Sequence, residues 1–182
     1  KPFTSNADMM RRTRELHVID FAGHDEASAR KTHPAAYQRV FDTVKPFRAQ
    51  NRDRQRKERW WLFGRSNQDM RRALTGLPRY ILTPEVAKHR PFAFTDGETV
   101  PDASLYVIAS ADAFILGVLS SRLHIAWALL AGGTLEDRPR YQNGPCFLPF
   151  PFPSANSDQH IGIGELAQEI DLLRKRQQAA HE

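Results

Sequence analysis

The longest apolar run in the chain, Ala113–Ala131, decides most about what it can fold into. It is about the length of a membrane span, but Arg122 and His124 sit at its centre, where charged or polar groups are costly in lipid. The run is therefore expected to be buried protein core, with Arg122 paired to a carboxylate. Ser120-Ser121 marks a break between two helices, the first capped by Asp112 and the second ending at Gly132-Gly133. At helical spacing, Ser120, Ser121 and His124 fit a capped kink and a filled core better than a nucleophile and its base.

The rest of the chain supplies shorter elements. Leu16-His17-Val18-Ile19-Asp20-Phe21 reads as a largely buried strand closed by Gly23, and Tyr37, Val40, Phe41 and Val44 form one stripe of a helix that stops before Pro46. Asn67 can cap a helix carrying Met70, Leu74 and Leu77. Strands are expected at Arg79–Thr83, Phe92–Phe94 and Leu105–Ile108, with Asp96-Gly97 as a hairpin signal. The alternating prolines of Pro149–Pro153 forbid a helix or a central strand, which leaves an extended edge segment. Leu166, Ile170 and Leu173 stripe a terminal helix in which Asp171 and Lys175 pair at i, i+4.

Strands and helices mix without strict alternation, so the class is α+β: a small mixed sheet with packed helices and a terminal spacer helix. At 182 residues, 41% hydrophobic and 26% charged, the chain has the length of one domain with extensions and cannot be collagen-like or wholly disordered. The expected organisation is a lead-in strand, helix and basic arm over 1–60, a core over 61–155 and the terminal helix over 156–182. The chain opens on Lys1-Pro2-Phe3-Thr4, with neither Met nor a leader's apolar run, and stops inside a helical pattern at His181-Glu182. It is expected to be a piece of a longer polypeptide. One cysteine, Cys146, makes no internal disulfide and suits a reducing, cytoplasmic compartment.

Charge is concentrated. Residues 45–90 hold 13 basic and 4 acidic residues, while the remainder is mildly acidic although the whole chain is +5. The peak is Arg48, Arg52, Arg54, Arg56, Lys57 and Arg59, relieved only by Asp53 and Glu58. Having almost no apolar residue, this segment cannot bury a face, and such asymmetry is the footprint of a polyanion partner. Lys88-His89-Arg90 should project from a loop, where its donors can meet phosphates or fork onto a guanine edge. Arg79 and Arg140 are similar, with Glu136 or Asp137 as the expected ion-pair partner of Arg140. Trp60 and Trp61, followed by Leu62 and Phe63, fit core better than base stacking.

Catalytic signatures are missing. There is no Gly-rich phosphate loop, no His-Glu-x-x-His and no Cys-x-x-Cys, and His24-Asp25-Glu26 are adjacent loop residues that seldom converge on one ion. Pro101-Asp102 is not followed by the Glu-x-Lys of a metal-dependent nuclease. No catalytic, cofactor-binding or metal-binding residue is assigned.

One series of motifs runs through almost the whole chain: Val18-Ile19-Asp20-Phe21, His33-Pro34, Val44-Lys45-Pro46, Asn51-Arg52 and Arg59-Trp60-Trp61-Leu62-Phe63. It continues through Leu77-Pro78-Arg79-Tyr80-Ile81-Leu82-Thr83-Pro84, Lys88-His89-Arg90 and Phe114-Ile115-Leu116-Gly117-Val118-Leu119-Ser120-Ser121. Trp127-Ala128, Pro139-Arg140-Tyr141 and Phe147-Leu148-Pro149-Phe150-Pro151-Phe152-Pro153 complete it. As a set it resembles the C-terminal half of MmeI-like DNA adenine methyltransferases, single-chain restriction–modification enzymes. The resemblance implies a target recognition domain similar in fold to those of type I specificity subunits. It also implies a parent chain that binds S-adenosylmethionine and holds a flipped adenine with an Asn-Pro-Pro-aromatic loop, neither of which motifs occurs here. The expected function is sequence-specific recognition of double-stranded DNA, with the catalytic half of the parent chain as the other partner and no membrane. The rivals are a non-specific nucleic-acid arm and a protein-interaction module whose terminal helix pairs in a coiled coil.

Overall fold

The computed structural model describes residues 1–11, 13–65, 67–135 and 137–180; Glu136 and the His181-Glu182 end lie outside the described residues. Two compact units make up the chain, Lys1 with His17–Asp69 and Pro2–Leu16 with Met70–Glu182.

Strand β1 (Phe3–Thr4) and helix α1 (Asn6–Met10) open the larger unit. Asp8, buried in α1, accepts the Ser5 N–H and hydroxyl at 2.9 and 2.7 Å and is gripped by two Arg14 nitrogens at 2.7 and 2.9 Å. The Arg14 hydrogen bond holds its carboxyl well below the usual carboxylate range.

The smaller unit is helical: α2 (Glu26–Thr32), α3 (Pro34–Thr43), α4 (Lys45–Ala49) and α5 (Arg54–Glu58). Its core gathers Phe21, Ala29, Tyr37, Val40 and Trp60, with Val44, Trp61 and Leu62 half-buried against it. The stripe expected on α3 is therefore present, with Phe41 exposed at its margin. Pro46 does more than stop α3: it sits in the first turn of α4, where a missing N–H costs nothing. Leu16–Phe21 forms no named strand, contrary to expectation: Val18 exchanges backbone hydrogen bonds with Lys1 at 2.9 Å, but only Phe21 is buried, and Leu16 and Ile19 stay exposed.

The larger unit continues from α6 (Gln68–Leu74) into β2 (Arg79–Pro84), β3 (Ala93–Asp96), β4 (Val100–Pro101) and β5 (Leu105–Ile108). The main sheet is antiparallel in the order β3-β2-β5, with Ile81 opposite Phe94 on one side and Ile108 on the other. Alternation sends Tyr80, Leu82, Ala93 and Leu105 to one face with Met9, and Ile81 and Phe94 to the other. The Asp96-Gly97 turn does not close a hairpin. Instead β4 leaves the sheet and pairs in parallel with β1, Val100 and Asp102 N–H donating to Pro2 and Thr4 carbonyls at 2.8 Å.

Asp112 caps α7 (Ala113–Ser120) by accepting the Phe114 N–H at 2.8 Å, and Ser121 caps α8 (Arg122–Ala131) by accepting that of His124 at 3.2 Å. The two helices meet at 61°, and among the described residues no single helix is long and apolar enough to cross a membrane. Most of α7 is core, whereas α8 buries His124 and Ala128 and leaves Leu123, Leu129 and Leu130 exposed. Arg122 is not buried against a carboxylate: as the first residue of α8 it is exposed to solvent.

After the small hairpin β6 (Thr134–Leu135) and β7 (Arg138–Pro139) and a π-helical turn at Asn143–Phe147 comes the Pro–Phe segment. It pairs with no strand, so the expected sheet edge is corrected to an aromatic strap: Phe150 lies 4.4 Å from the His124 ring and 5.3 Å from Phe152.

The terminal helix α9 (Ser157–Ala180) packs along α7 through Ile163, Gly164 and Ala167, and buries Asp171. The expected stripe of Leu166, Ile170 and Leu173 is instead exposed. Small residues win this face because close approach needs them. A Cβ on Gly117 of α7 would lie 2.6 Å from Ile163 Cγ2 and 3.1 Å from the Ile163 carbonyl. Asp171 accepts the Phe94 N–H at 3.2 Å and pairs with Lys175 at 2.7 Å, as the spacing predicted.

Two consequences are measurable. Gly117→Ala should lower unfolding free energy by about 1–3 kcal/mol in denaturant titration, because α9 must move to admit the methyl. His124 is fully buried, with Nε2 3.0 Å from the Tyr141 hydroxyl, and burial pushes its pKa down from 6.5 to about 4. The unfolded chain therefore takes up this proton first as pH falls. Stability should drop by about 3 kcal/mol between pH 6.5 and pH 4, and calorimetry should find the drop shallower in His124→Gln.

Candidate nucleic-acid interface

In the smaller unit the basic arm is ordered by local polar caps, since it has no core of its own. Asn51 Oδ1 accepts the Asp53 N–H at 2.9 Å, and Asp53 caps α5 by accepting the Arg56 N–H at 3.2 Å. Both ends are anchored. The Lys45 ammonium lies 4.2 Å from the Phe41 ring centre and 5.0 Å from that of Trp60, and Trp60 is buried between Tyr37, Phe41 and Trp61. Trp61 donates its indole N–H to the His24 carbonyl at 3.1 Å, so both tryptophans serve structure.

The arm's cations fall into two sets. Arg48 and Arg56 are half-buried with their guanidinium groups beside Gly64, and Arg56 also lies 3.3 Å from Asp53. Arg54 is exposed but pairs with Glu58 at 2.7 Å. Arg52, Lys57 and Arg59 are exposed and have no ion-pair partner among the described residues. His24, Asp25 and Glu26 hold local structure: His24 meets Ser28 at 3.0 Å, Asp25 caps α2 and Glu26 accepts the Tyr37 hydroxyl at 2.9 Å.

In the larger unit, the turn after β2 and the strand after β6 are laced together. Val86 and Arg140 form an antiparallel bridge, Tyr141 N–H donates to the Glu85 carbonyl at 2.7 Å, and Ala87 N–H reaches the Pro139 carbonyl at 3.3 Å. Two arginines complete the lacing. Arg140 sets Nε and Nη2 on Glu85 Oε1 at 2.9 and 2.6 Å, so its partner is Glu85 and not Asp137, which lies by Arg138. The other expected partner, Glu136, is outside the described residues. Arg90 does not project from the loop. Its guanidinium turns inward to the carbonyls of Pro84, Glu85 and Pro139, and stands 5.3 Å from the Tyr141 ring centre. Burial lowers its pKa from the ordinary guanidinium value. A fork that meets three carbonyls is spent on the fold.

Lys88 and His89 remain, exposed at the tip of this fastened turn. Arg79 is likewise turned to structure, donating to the Ala111 carbonyl at 3.1 Å with its guanidinium 3.8 Å over the Phe94 ring. Sequence reasoning missed Glu85 and Tyr141 as organisers of this corner; their partners lie some fifty positions away along the chain, and no local signal marks them.

Residues 2–154 match the family described as MmeI, target recognition domain. The chain belongs to that family. As the resemblance implied, the fold is that of an MmeI target recognition domain, an open arrangement of helices and small sheets. It is similar to the chain of the type IIL restriction–modification enzyme MmeI solved in complex with DNA, with a TM-score of 0.76 and 25% identity over 96% of this chain and 23% of that one. DNA methyltransferase A of Bacillus subtilis (strain 168) is 32% identical over 101 residues, 53% of this chain and 12% of that protein. The chain thus spans well under a third of the length of either relative.

The role of Arg90 in this corner can be measured on the free protein. Arg90→Lys keeps the charge and loses the fork, and should cost about 2 kcal/mol in denaturant titration without any DNA present.

Proposed function

We propose that the chain is the sequence-reading part of an S-adenosylmethionine-dependent DNA adenine-N6 methyltransferase, and that its ligand is double-stranded DNA. The observation that carries this reading is the family match over residues 2–154, joined to an anchored arm that displays cations it does not neutralise. The catalytic half and the cofactor belong to the rest of the parent polypeptide, and the chain itself serves recognition in the cytoplasm. Within it, a core over 61–155 reads DNA between a lead-in over 1–60 and the terminal helix over 156–182.

Roles follow exposure. Arg52, Arg54, Lys57 and Arg59 neutralise phosphates, with Arg48 and Arg56 stiffening the arm behind them. Lys88 and His89 reach the duplex from a turn that Arg90 and Arg140 hold rigid, and Arg79 steadies the sheet below. Each neutralised phosphate contributes about −0.9 to the log–log slope of affinity against salt. Each well-formed bidentate base contact adds about 1–3 kcal/mol of discrimination. Methyl transfer needs the adenine flipped into the other half.

One feature favours a second reading: the exposed Leu166, Ile170 and Leu173 of α9 would suit a protein-interaction module. A random-duplex selection scored by fluorescence anisotropy across a salt series separates the two. Enrichment of one short motif with a steep salt slope is the expected result. Binding without enrichment would leave only a basic arm, and salt-insensitive self-association without DNA would favour the interaction module. Replacing Arg52, Lys57 and Arg59 with Ala should weaken all sequences alike and flatten the slope by up to about 2.7. An unchanged slope would remove the arm from the DNA surface.

A further inference from the structure

The β3-β2-β5 sheet is covered on three sides. Tyr80, Leu82 and Leu105 bury one face, Ile81 and Phe94 bury the other, and Asp171 of α9 takes the outward N–H of Phe94 at the β3 edge. The β5 edge has no such cover among the described residues.

The ladder register fixes which groups that edge offers. Glu85 stands opposite Ser104, one place beyond the Pro84–Leu105 pair, and its N–H donates to the Ser104 carbonyl at 2.8 Å. Bonded and non-bonded pairs alternate along an antiparallel ladder. Tyr106 and Ile108 therefore turn their amides to β2, and Leu105 and Val107 turn theirs away. Pro84, which lacks an N–H, falls in a non-bonded pair, in agreement with this phase. The Leu105 N–H is satisfied by the Asp102 carbonyl at 3.1 Å. The N–H and C=O of Val107 are left facing outward. Beside them opens a cleft of about 660 Å³, walled by Tyr106, Ile108, Ile115, Tyr141, Phe147 and Phe152.

We propose that this edge and cleft receive an extended apolar segment of the parent chain's catalytic half, added as a fourth strand beside Leu105–Ile108. The chemistry selects a polypeptide. A free N–H next to a free C=O on one residue matches another backbone. The cleft's lining contains no Lys or Arg, so a phosphate backbone has nothing to hold it there. The relatives supply the length: the chain spans 12% and 23% of them, so most of such a polypeptide is available to fold back onto it. The inference rests on the reading of the chain as one part of a longer methyltransferase.

Hydrogen exchange with mass spectrometry, on the full parent enzyme and on this chain alone, first without DNA and then with duplex DNA, tests it. Amides of residues 104–110 should exchange about tenfold more slowly in the parent. Val107→Pro removes the outward donor and leaves the β2 ladder intact. In the parent it should abolish that protection while the salt slope of DNA binding stays as in the wild type. Equal exchange in parent and isolated chain would overturn the proposal. So would protection that comes only with DNA, which would make the cleft a nucleic-acid site, or protection that grows with concentration of the isolated chain, which would make it a self-association edge. If Val107→Pro does not fold, the wild-type comparison decides alone. Motif enrichment by the isolated chain is read separately, so failure of DNA recognition and failure of this contact are distinguishable.

Discussion

Strand β2 is buried on both faces, and the larger unit is arranged around that requirement. Six residues from Arg79 to Pro84 must satisfy two apolar clusters and two neighbouring strands at once. Met9 of α1 closes one face, and Leu116 and Leu119 of α7 close the other. Helix α9 then seals the β3 edge with a carboxylate, and its C-terminal end holds α1, Arg174 and Gln178 donating to the Met9 carbonyl at 2.8 and 3.1 Å. A strand buried this way loses more than one cluster if it slips in register, because a one-residue shift exchanges the two faces. The register is thereby fixed from both sides, and so is the position of the turn that follows Pro84.

Arginine is used here in two ways that composition cannot separate. Arg14, Arg79, Arg90 and Arg140 spend their donors on carboxylates, carbonyls or an aromatic face inside the fold. Arg52 and Arg59, with Lys57, keep theirs in water. Only the second kind contributes to a polyanion-binding field at full strength, since a cation already paired at close range gains less from a phosphate. The net charge of the segment from 45 to 90 therefore overstates its electrostatic reach, and on the proposed reading the exposed subset would set the salt dependence.

What was legible in the sequence was local. Asp112 and Ser121 announce their helices because a cap acts within three residues, and the three strands of the main sheet show as short apolar runs bounded by proline or loop residues. The family was legible as an ordered series of short motifs, none of them decisive alone. What was hidden depends on distant partners. Arg90 reads as a projecting loop residue because it lies with Lys88 and His89 between two strands, while one of the carbonyls that claim it, Pro139, lies far along the chain. On α9, periodicity points to Leu166, Ile170 and Leu173, yet the helix packs by Gly164 and Ala167. Close helix approach favours small residues, and a hydrophobic pattern carries no sign of how near the neighbour comes. The Leu16–Phe21 run shows the same limit from the other side, since a strand needs a partner that its own sequence cannot name.

The rigid corner at Glu85, Arg90, Arg140 and Tyr141 bears on specificity through entropy. A loop that is disordered before binding must be ordered on binding, and that cost subtracts from every contact it makes. Backbone bridges, an ion pair and a three-carbonyl fork order the turn beforehand, so Lys88 and His89 are displayed from a fixed place. A fixed donor distinguishes base edges because it cannot follow a wrong base to recover its hydrogen bond. A flexible one would bind several sequences about equally. The arm needs less of this, since phosphates are alike along the helix and an approximate position is sufficient for charge. On the proposed reading, rigid placement at the turn and display of charge along the arm would divide reading from holding within one chain.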